Sequence, residues 1–258
     1  YQLMFEKDLQ VRRPGFTVEA RQAFPVTIPH TERIDELLAR FTKPSPDSDH
    51  RYLSASAINA YIDCPLRFYF RYLAGIGETM QVEEEIDASC FGTVVHDTIS
   101  LLYEELAVNS KRWITPEALT GLAGSNRPQE LLEKVFLRVH HHGRAEKIEG
   151  RNIIALTVMQ RFLERVFTTD IAIAPFQLVS TETTYMREMQ IDRSGTLLKV
   201  RIGGKIDRVD RVDGQLRVID YKTGNASQSF PFIESLFDPL NAGRNGAALQ
   251  ALLYAWLI

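Results

Sequence analysis

Only two cysteines, Cys64 and Cys90, occur in the 258 residues, too few for a disulfide framework. No run of about twenty apolar residues is present, so no membrane-spanning helix is expected. No secretory leader opens the chain, and with so little cysteine this predicts a reducing, cytoplasmic setting. The phosphate-loop pattern GxxxxGK[ST] is missing, which excludes a recognisable nucleotide-driven motor within these residues. Neither sign of charge dominates. The net charge of −3 excludes a generally basic coat for nucleic acid but leaves room for a local basic stripe. What the chain does have is apolar content, 45%, enough for one sizeable core plus extensions. It shows no internal repeat.

Residues 1–52 read as an irregular arm or linker. Pro14, Pro25, Pro29, Pro44 and Pro46 interrupt its runs, and only TERIDELLARF has helical spacing. Ser54 or Ser56 is placed to cap the next helix, and Pro65 either kinks it or starts a new turn. Apolar residues at three- and four-residue spacing predict helices at about 91–108, 116–123, 128–142 and 151–169. Strand patterns follow at about 176–191, 196–212 and 215–222, then a closing helix from about Gly246. A helical half, a β-meander and a final helix predict an α+β fold with the sheet carrying the site. The run His140-His141-His142 ends a helix facing several directions, so it cannot form a helical metal pair. The first residue, Tyr1, and the apolar ending LLYAWLI predict a fragment of a longer polypeptide.

The strongest local signal is KVRIGGKIDRVDRV (199–212) and QLRVIDYKTG (215–224), separated only by Asp213-Gly214. An Asp-Gly pair between two β-like runs predicts a two-residue hairpin loop. Pairing Val212 with Gln215 then brings Asp207 opposite Asp220. Opposed Cβ atoms are roughly 4.5–5.5 Å apart, where like charges are destabilising unless a cation neutralises them. Lys222, two residues beyond Asp220, shares its face. Arg201, Lys205, Arg208, Arg211 and Arg217 crowd the same hairpin, and Arg67 and Arg71 adjoin an aromatic run, a candidate phosphate track.

GGKIDRVDRVDGQLRVIDYKTG resembles the signature of the RecB-type branch of the PD-(D/E)XK nucleases. Other pieces are similar to the family's motifs in the same order. FGTVVHDTIS resembles its GTxxH helix, TETTY its upstream glutamate and LQALLY its QxxxY helix. The resemblance spans about residues 53–258 and implies a restriction-endonuclease-like core with a mixed central sheet flanked by helices. It implies a metal held by His96, Asp207, Asp220 and the Tyr221 carbonyl, with Lys222, Asp207, Asp220, Glu182, Gln250 and Tyr254 as catalytic residues.

Taken alone, His96 lies one position off the apolar stripe Val95, Ile99, Leu102 and Leu106. Gln250 and Tyr254 lie one helical turn apart, placed to hold a DNA phosphate or the Lys222 strand. Oxygen donors with one imidazole suit Mg²⁺, with Mn²⁺ as a substitute. Lys222 is assigned electrostatic and positioning duty at the scissile phosphate.

LSASAINAYIDCPLRFYFRYL resembles the start of the iron–sulfur members, in which a cysteine at the Cys64 position is the first of four cluster ligands. The other three would follow the QxxxY helix, and this sequence ends four residues after Tyr254. A 4Fe-4S cluster is therefore expected only in a longer form, and Cys64 here is read as a small buried apolar residue. The expected activity is metal-dependent hydrolysis of DNA, exonucleolytic and in recombination or repair. A helicase motor would lie in the same polypeptide or a partner subunit, and no membrane is expected as a partner. The alternative is a domain of the same fold that binds DNA or acts as a scaffold without cutting.

Overall fold

The fold follows from one long antiparallel hairpin with helices laid on both its faces. The computed structural model describes residues 26–42, 51–77, 86–140, 147–193, 195–224, 227, 229–241 and 243–258. Residues 31–258 form one compact unit. Of the expected N-terminal arm, 1–25 and 43–50 lie outside the described residues, as do His141 and His142. Among the described residues no helix is long and apolar enough to cross a membrane.

The helices are α1 (Glu32–Ala39), α2 (Ala55–Asp63), α3 (Pro65–Phe68, running into a π-helical turn Tyr69–Leu73), α4 (Ala88–Asn109), α5 (Pro116–Ala123), α6 (Arg127–His140), α7 (Arg151–Ile173) and α8 (Gly246–Leu257). Their starts are chemically marked. Ser54, Asp87, Thr115 and Asn245 each cap the amide three residues on, and Pro65 and Pro116 occupy first-turn positions, where no amide partner is needed. Four strands, β1 (Trp113–Ile114), β2 (Phe176–Arg193), β3 (Thr196–Val212) and β4 (Gln215–Ile219), form a sheet in the order β1-β2-β3-β4, every neighbouring pair antiparallel. The only parallel pairing among the described residues is a bridge from Leu53 to Ile202.

Residue 31 onward is more built than an irregular arm. Leu37 and Phe41 pack with Phe68 and Leu73, and the Phe41 carbonyl accepts from the Arg201 amide at 3.0 Å. The turn at Asp213-Gly214 has positive φ at both residues, 48° and 82°, the backbone a two-residue hairpin loop requires. It sets the expected register, from Val212 with Gln215 to Arg208 with Ile219.

One face of the sheet packs on α4–α7, through Val95, Ile99 and Leu102 of α4, Phe136 of α6 and Phe167 of α7 against Phe176 and Leu178. The other face meets α2 and α8, where Ile206 and Val209 pack with Ala55, Tyr254 and Leu257. Gly204 makes that closeness possible, because a Cβ there would overlap the Tyr254 ring.

Beneath the sheet lies a buried charge network that removes two members, Arg208 and Arg217, from the expected phosphate track. Arg208, 1% exposed, grips Asp170 with two hydrogen bonds of 2.7 and 2.9 Å and reaches Asp210 at 3.1 Å. Arg217 holds Asp210 at 2.8 and 2.7 Å. Two arginines against two aspartates balance charge around a buried Arg208 and a half-buried Arg217, so both guanidiniums are engaged within the fold. Cys64 also differs from expectation. It is half-buried at the junction of α2 and α3, outside the apolar clusters, because the chain breaks its helix there to let Pro65 begin the next.

Two consequences can be measured. Asp170→Ala leaves Arg208 buried with only a shared aspartate, and urea denaturation should register a loss of about 3–5 kcal/mol. Gly204→Ala should lower the thermal midpoint and expose the Tyr254 ring to solvent, seen as changed tyrosine fluorescence, whereas Gly214→Asn at the open turn should not.

Candidate active site

The α4 helix delivers the first functional side chain. Val95, Ile99 and Leu102 commit one stripe of α4 to the core, which leaves His96 at the stripe's edge, 24% exposed and aimed at the end of β4. Its Nε2 donates to the Tyr221 carbonyl at 2.9 Å, and its Nδ1 lies 3.3 Å from Asp207 Oδ2. Burial pulls the His96 pKa down. The hydrogen bond to Asp207 and the charges of Asp207 and Glu182 outweigh it, and the net shift is upward.

Asp207 and Glu182 reach the same place through a break in strand regularity. The β2–β3 register runs from Thr181 with Arg208 directly to Thr183 with Ile206, and the pair skipped between them is Glu182 and Asp207. Glu182 has φ of 46°, a left-handed backbone uncommon for a residue with a side chain. On β3, Ile206 and Val209 both pack on the α8 side although they are three apart, while Arg208 lies over Tyr103 on the α4 side. Strict alternation would put Ile206 and Val209 on opposite faces. The phase therefore slips at the Glu182–Asp207 pair, and the two carboxylates turn toward His96. Ligand-type atoms of His96, Glu182 and Asp207 all lie within 4.8 Å of one another.

Neighbours fix each acid. Glu182 Oε2 pairs with Lys205 Nζ at 2.5 Å. Thr181, next to it, is tied to α4 through Ser100 at 3.0 Å and Glu104 at 2.9 Å. Asp207 Oδ2 accepts from the Tyr221 amide at 2.7 Å. Lys205 is the member that sequence reasoning missed as a partner. It lies diagonal to Glu182 once the β2–β3 register is known, a distance long side chains can bridge.

Asp220, Lys222, Gln250 and Tyr254 form a second, adjoining group. Lys222 Nζ is 2.6 Å from Asp220 Oδ2 and donates to Gln250 Oε1 at 3.0 Å. Gln250 Nε2 donates to Asp220 Oδ1 at 3.0 Å and to Tyr254 Oη at 2.9 Å. The glutamine thus holds the Lys222 strand, one of the two roles its helical spacing allowed. Burial raises the Asp220 pKa, the Lys222 ammonium opposes that shift, and the Asp207 charge adds to it.

The expected face-to-face placement of Asp207 and Asp220 is modified. The β3–β4 ladder ends at Ile219, and Asp207 bonds the amide of Tyr221. Asp220 lies outside the close cluster of His96, Glu182 and Asp207, its oxygens taken by Lys222 and Gln250. Cys64 belongs to neither group.

The donor set fits a hard divalent cation. Two carboxylates converge with an imidazole, the Tyr221 carbonyl adjoins, and Lys205, which pairs with Glu182, sits at the rim with its side chain 55% exposed. Oxygen donors with one nitrogen suit Mg²⁺ or Mn²⁺ better than a soft thiolate-seeking metal.

Comparison with known proteins agrees with this arrangement. The PD-(D/E)XK nuclease superfamily profile matches residues 52–258. Among curated proteins, an ATP-dependent helicase/deoxyribonuclease subunit from Clostridium perfringens is 24% identical over 216 residues, 78% of this chain and 17% of that protein. Proteins of the same description from Streptococcus agalactiae and Carboxydothermus hydrogenoformans are 23% and 25% identical, over 70% and 79% of this chain and 15% and 18% of theirs. The chain spans less than a fifth of the length of these relatives. With the match covering most of its length and the acids, histidine and lysine gathered at one end of the β3–β4 hairpin, this chain belongs to the PD-(D/E)XK nuclease superfamily.

Proposed function

We infer that this chain hydrolyses phosphodiester bonds of DNA with a bound divalent metal. Its wider role would be that of the nuclease module of a helicase–nuclease, with the motor elsewhere in the same polypeptide or in a partner subunit. The observation that carries the chemistry is the convergence of His96, Glu182 and Asp207 within 4.8 Å, adjoined by the Asp220–Lys222 pair. Relatives described as ATP-dependent helicase/deoxyribonuclease subunits support the wider role. Exonucleolytic action in recombination or repair is the finer part of the same reading.

His96, Asp207 and Glu182 would hold the ion, with the Tyr221 carbonyl and Asp220 at its margin. A divalent ion bound there supplies electrophilic stabilisation of phosphoryl oxygens and a more acidic water for attack, with Mn²⁺ able to replace Mg²⁺. The protein's own groups supply the rest. Lys222, held between Asp220 and Gln250, presents a fixed ammonium to a phosphate on which negative charge develops. Because its partners already orient it, little reorganisation accompanies the reaction. Gln250 and Tyr254 act through position, tying the lysine-bearing segment to α8.

Two outcomes are expected. Lys222→Ala should abolish Mg²⁺-dependent cleavage of single- and double-stranded DNA while calorimetry still records metal uptake, and near-normal hydrolysis by the purified variant would remove the lysine from the mechanism. Asp207→Asn combined with His96→Ala should weaken Mn²⁺ binding by about 10–100-fold or more without unfolding the chain. A wild-type protein that binds DNA yet leaves it intact with Mg²⁺ or Mn²⁺ would instead favour a binding or scaffolding domain.

A further inference from the structure

Lys222 lines two neighbouring clefts, the second the more apolar. One, about 390 Å³, carries the polar side chains of Asn59, Arg244, Asn245 and Gln250 on its walls. The other, about 440 Å³, is lined by Asp220, Lys222 and Ser227 together with a larger apolar set that includes Val218, Phe230, Ala247, Ala251 and Leu252. Ala247 borders both. An ammonium and a few polar groups in a mainly apolar slot match a ligand with one anionic group and a flat apolar body. A nucleotide unit in a single strand is such a ligand.

We propose that the apolar cleft between β4 and α8 is a nucleobase subsite, which holds the unpaired base next to the scissile phosphate against Phe230. This rests on the nuclease reading and adds to it a base-contacting residue and a requirement for local unpairing. Ala247 and Ala251, four apart on α8, leave an open floor that larger side chains would fill. Phe230 brings the aromatic face on which any base can stack.

The wall is held in advance on both sides of Phe230. Asn245 Nδ2 donates to the carbonyls of Ser227 and Ser229 at 2.8 and 3.1 Å, just before it. Beyond it, the 3-10 turn Ile233–Leu236 is clamped by Arg244, whose Nη1 donates to the Leu236 carbonyl at 3.1 Å. Arg244 is itself fixed on α2 through Asn59 and Asp63. A loop tethered at both ends binds without first having to be ordered. A base still paired in a duplex is stacked between its neighbours and cannot enter a slot between a strand and a helix, so the subsite selects strand ends or single strands.

The test is an abasic scan. Single-stranded oligonucleotides with one abasic residue moved along the sequence are assayed for equilibrium binding by fluorescence anisotropy and for Mg²⁺-dependent cleavage. For the wild-type protein, one register should bind about tenfold more weakly than the others. Phe230→Ala should bind the intact strand equally weakly and lose its dependence on that register. Ala251→Phe, at an exposed position whose change leaves the core untouched, should fill the slot and raise KM more than it lowers kcat. A flat scan with normal cleavage, or additive losses from Phe230→Ala and the abasic residue, would overturn the subsite while the nuclease reading stands. Base-dependent binding without cleavage would do the reverse. A protein that neither binds nor cuts would sink both.

Discussion

The backbone of Tyr221 is the constraint on which the site depends. Its amide donates to Asp207 and its carbonyl accepts from His96, so one peptide segment spaces a β3 residue from an α4 residue. The ring of the same residue packs against the core, with the Arg208 guanidinium 5.8 Å from its centroid and the aromatic core around Tyr103 and Phe176 beyond. Arg208 is in turn fixed by Asp170 and Asp210. The candidate-site end of the hairpin is thereby anchored to α7, far away in sequence, through an ion network set apart from the site itself. Such a network contributes little net stability compared with a well-packed apolar core, yet losing one partner is severe. Its value is geometric: a planar, bidentate arginine admits few alternative arrangements.

On the opposite face, α8 performs the matching task for Lys222. Because β4 stops at Ile219, the Asp220–Lys222 segment has no ladder to define it. Gln250 replaces the missing strand partner, accepting from the lysine and donating to the aspartate. Tyr254, one turn on, receives the other donation and is pressed against the sheet where Gly204 has no side chain. A glycine in β3 thus sets how near α8 approaches, and that approach sets whether Gln250 reaches the lysine.

Much of this is legible in the sequence, for identifiable reasons. Asp213-Gly214 allows the β3–β4 register to be counted, since side-chain direction and pairing are fixed once a two-residue turn is fixed. The α5 span, Pro116–Ala123, follows from its N-terminal proline and apolar spacing. His96, Glu182, Asp207, Asp220, Lys222, Gln250 and Tyr254 all stand out as candidates, and the fold gathers them in two adjoining groups. Other features are hidden for physical reasons. Arg208 looks like Arg201 or Arg211 in a basic run, and only its distant partner Asp170 makes it a core residue. The end of the β4 ladder, the skipped Glu182–Asp207 pair and the half-buried setting of Cys64 depend on tertiary packing, which a period-two pattern cannot register.

The skipped pair also bears on why the site suits a metal. A left-handed glutamate inside a strand is unfavourable by roughly 1–3 kcal/mol and persists only where its surroundings over-determine it. Here Thr181 is bound to α4 and Lys205 holds the Glu182 carboxylate, while Asp207 opposite is bound by the Tyr221 amide. The distortion lies where two carboxylates and an imidazole converge, an arrangement that repels itself if both acids are charged and nothing lies between them. A regular ladder would also have set the opposed acids side by side, but it would have kept Ile206 and Val209 on opposite faces and needed no left-handed glutamate. The fold instead turns both toward His96, and a divalent cation is the kind of ligand whose binding would offset their repulsion, most strongly where the donors are already assembled.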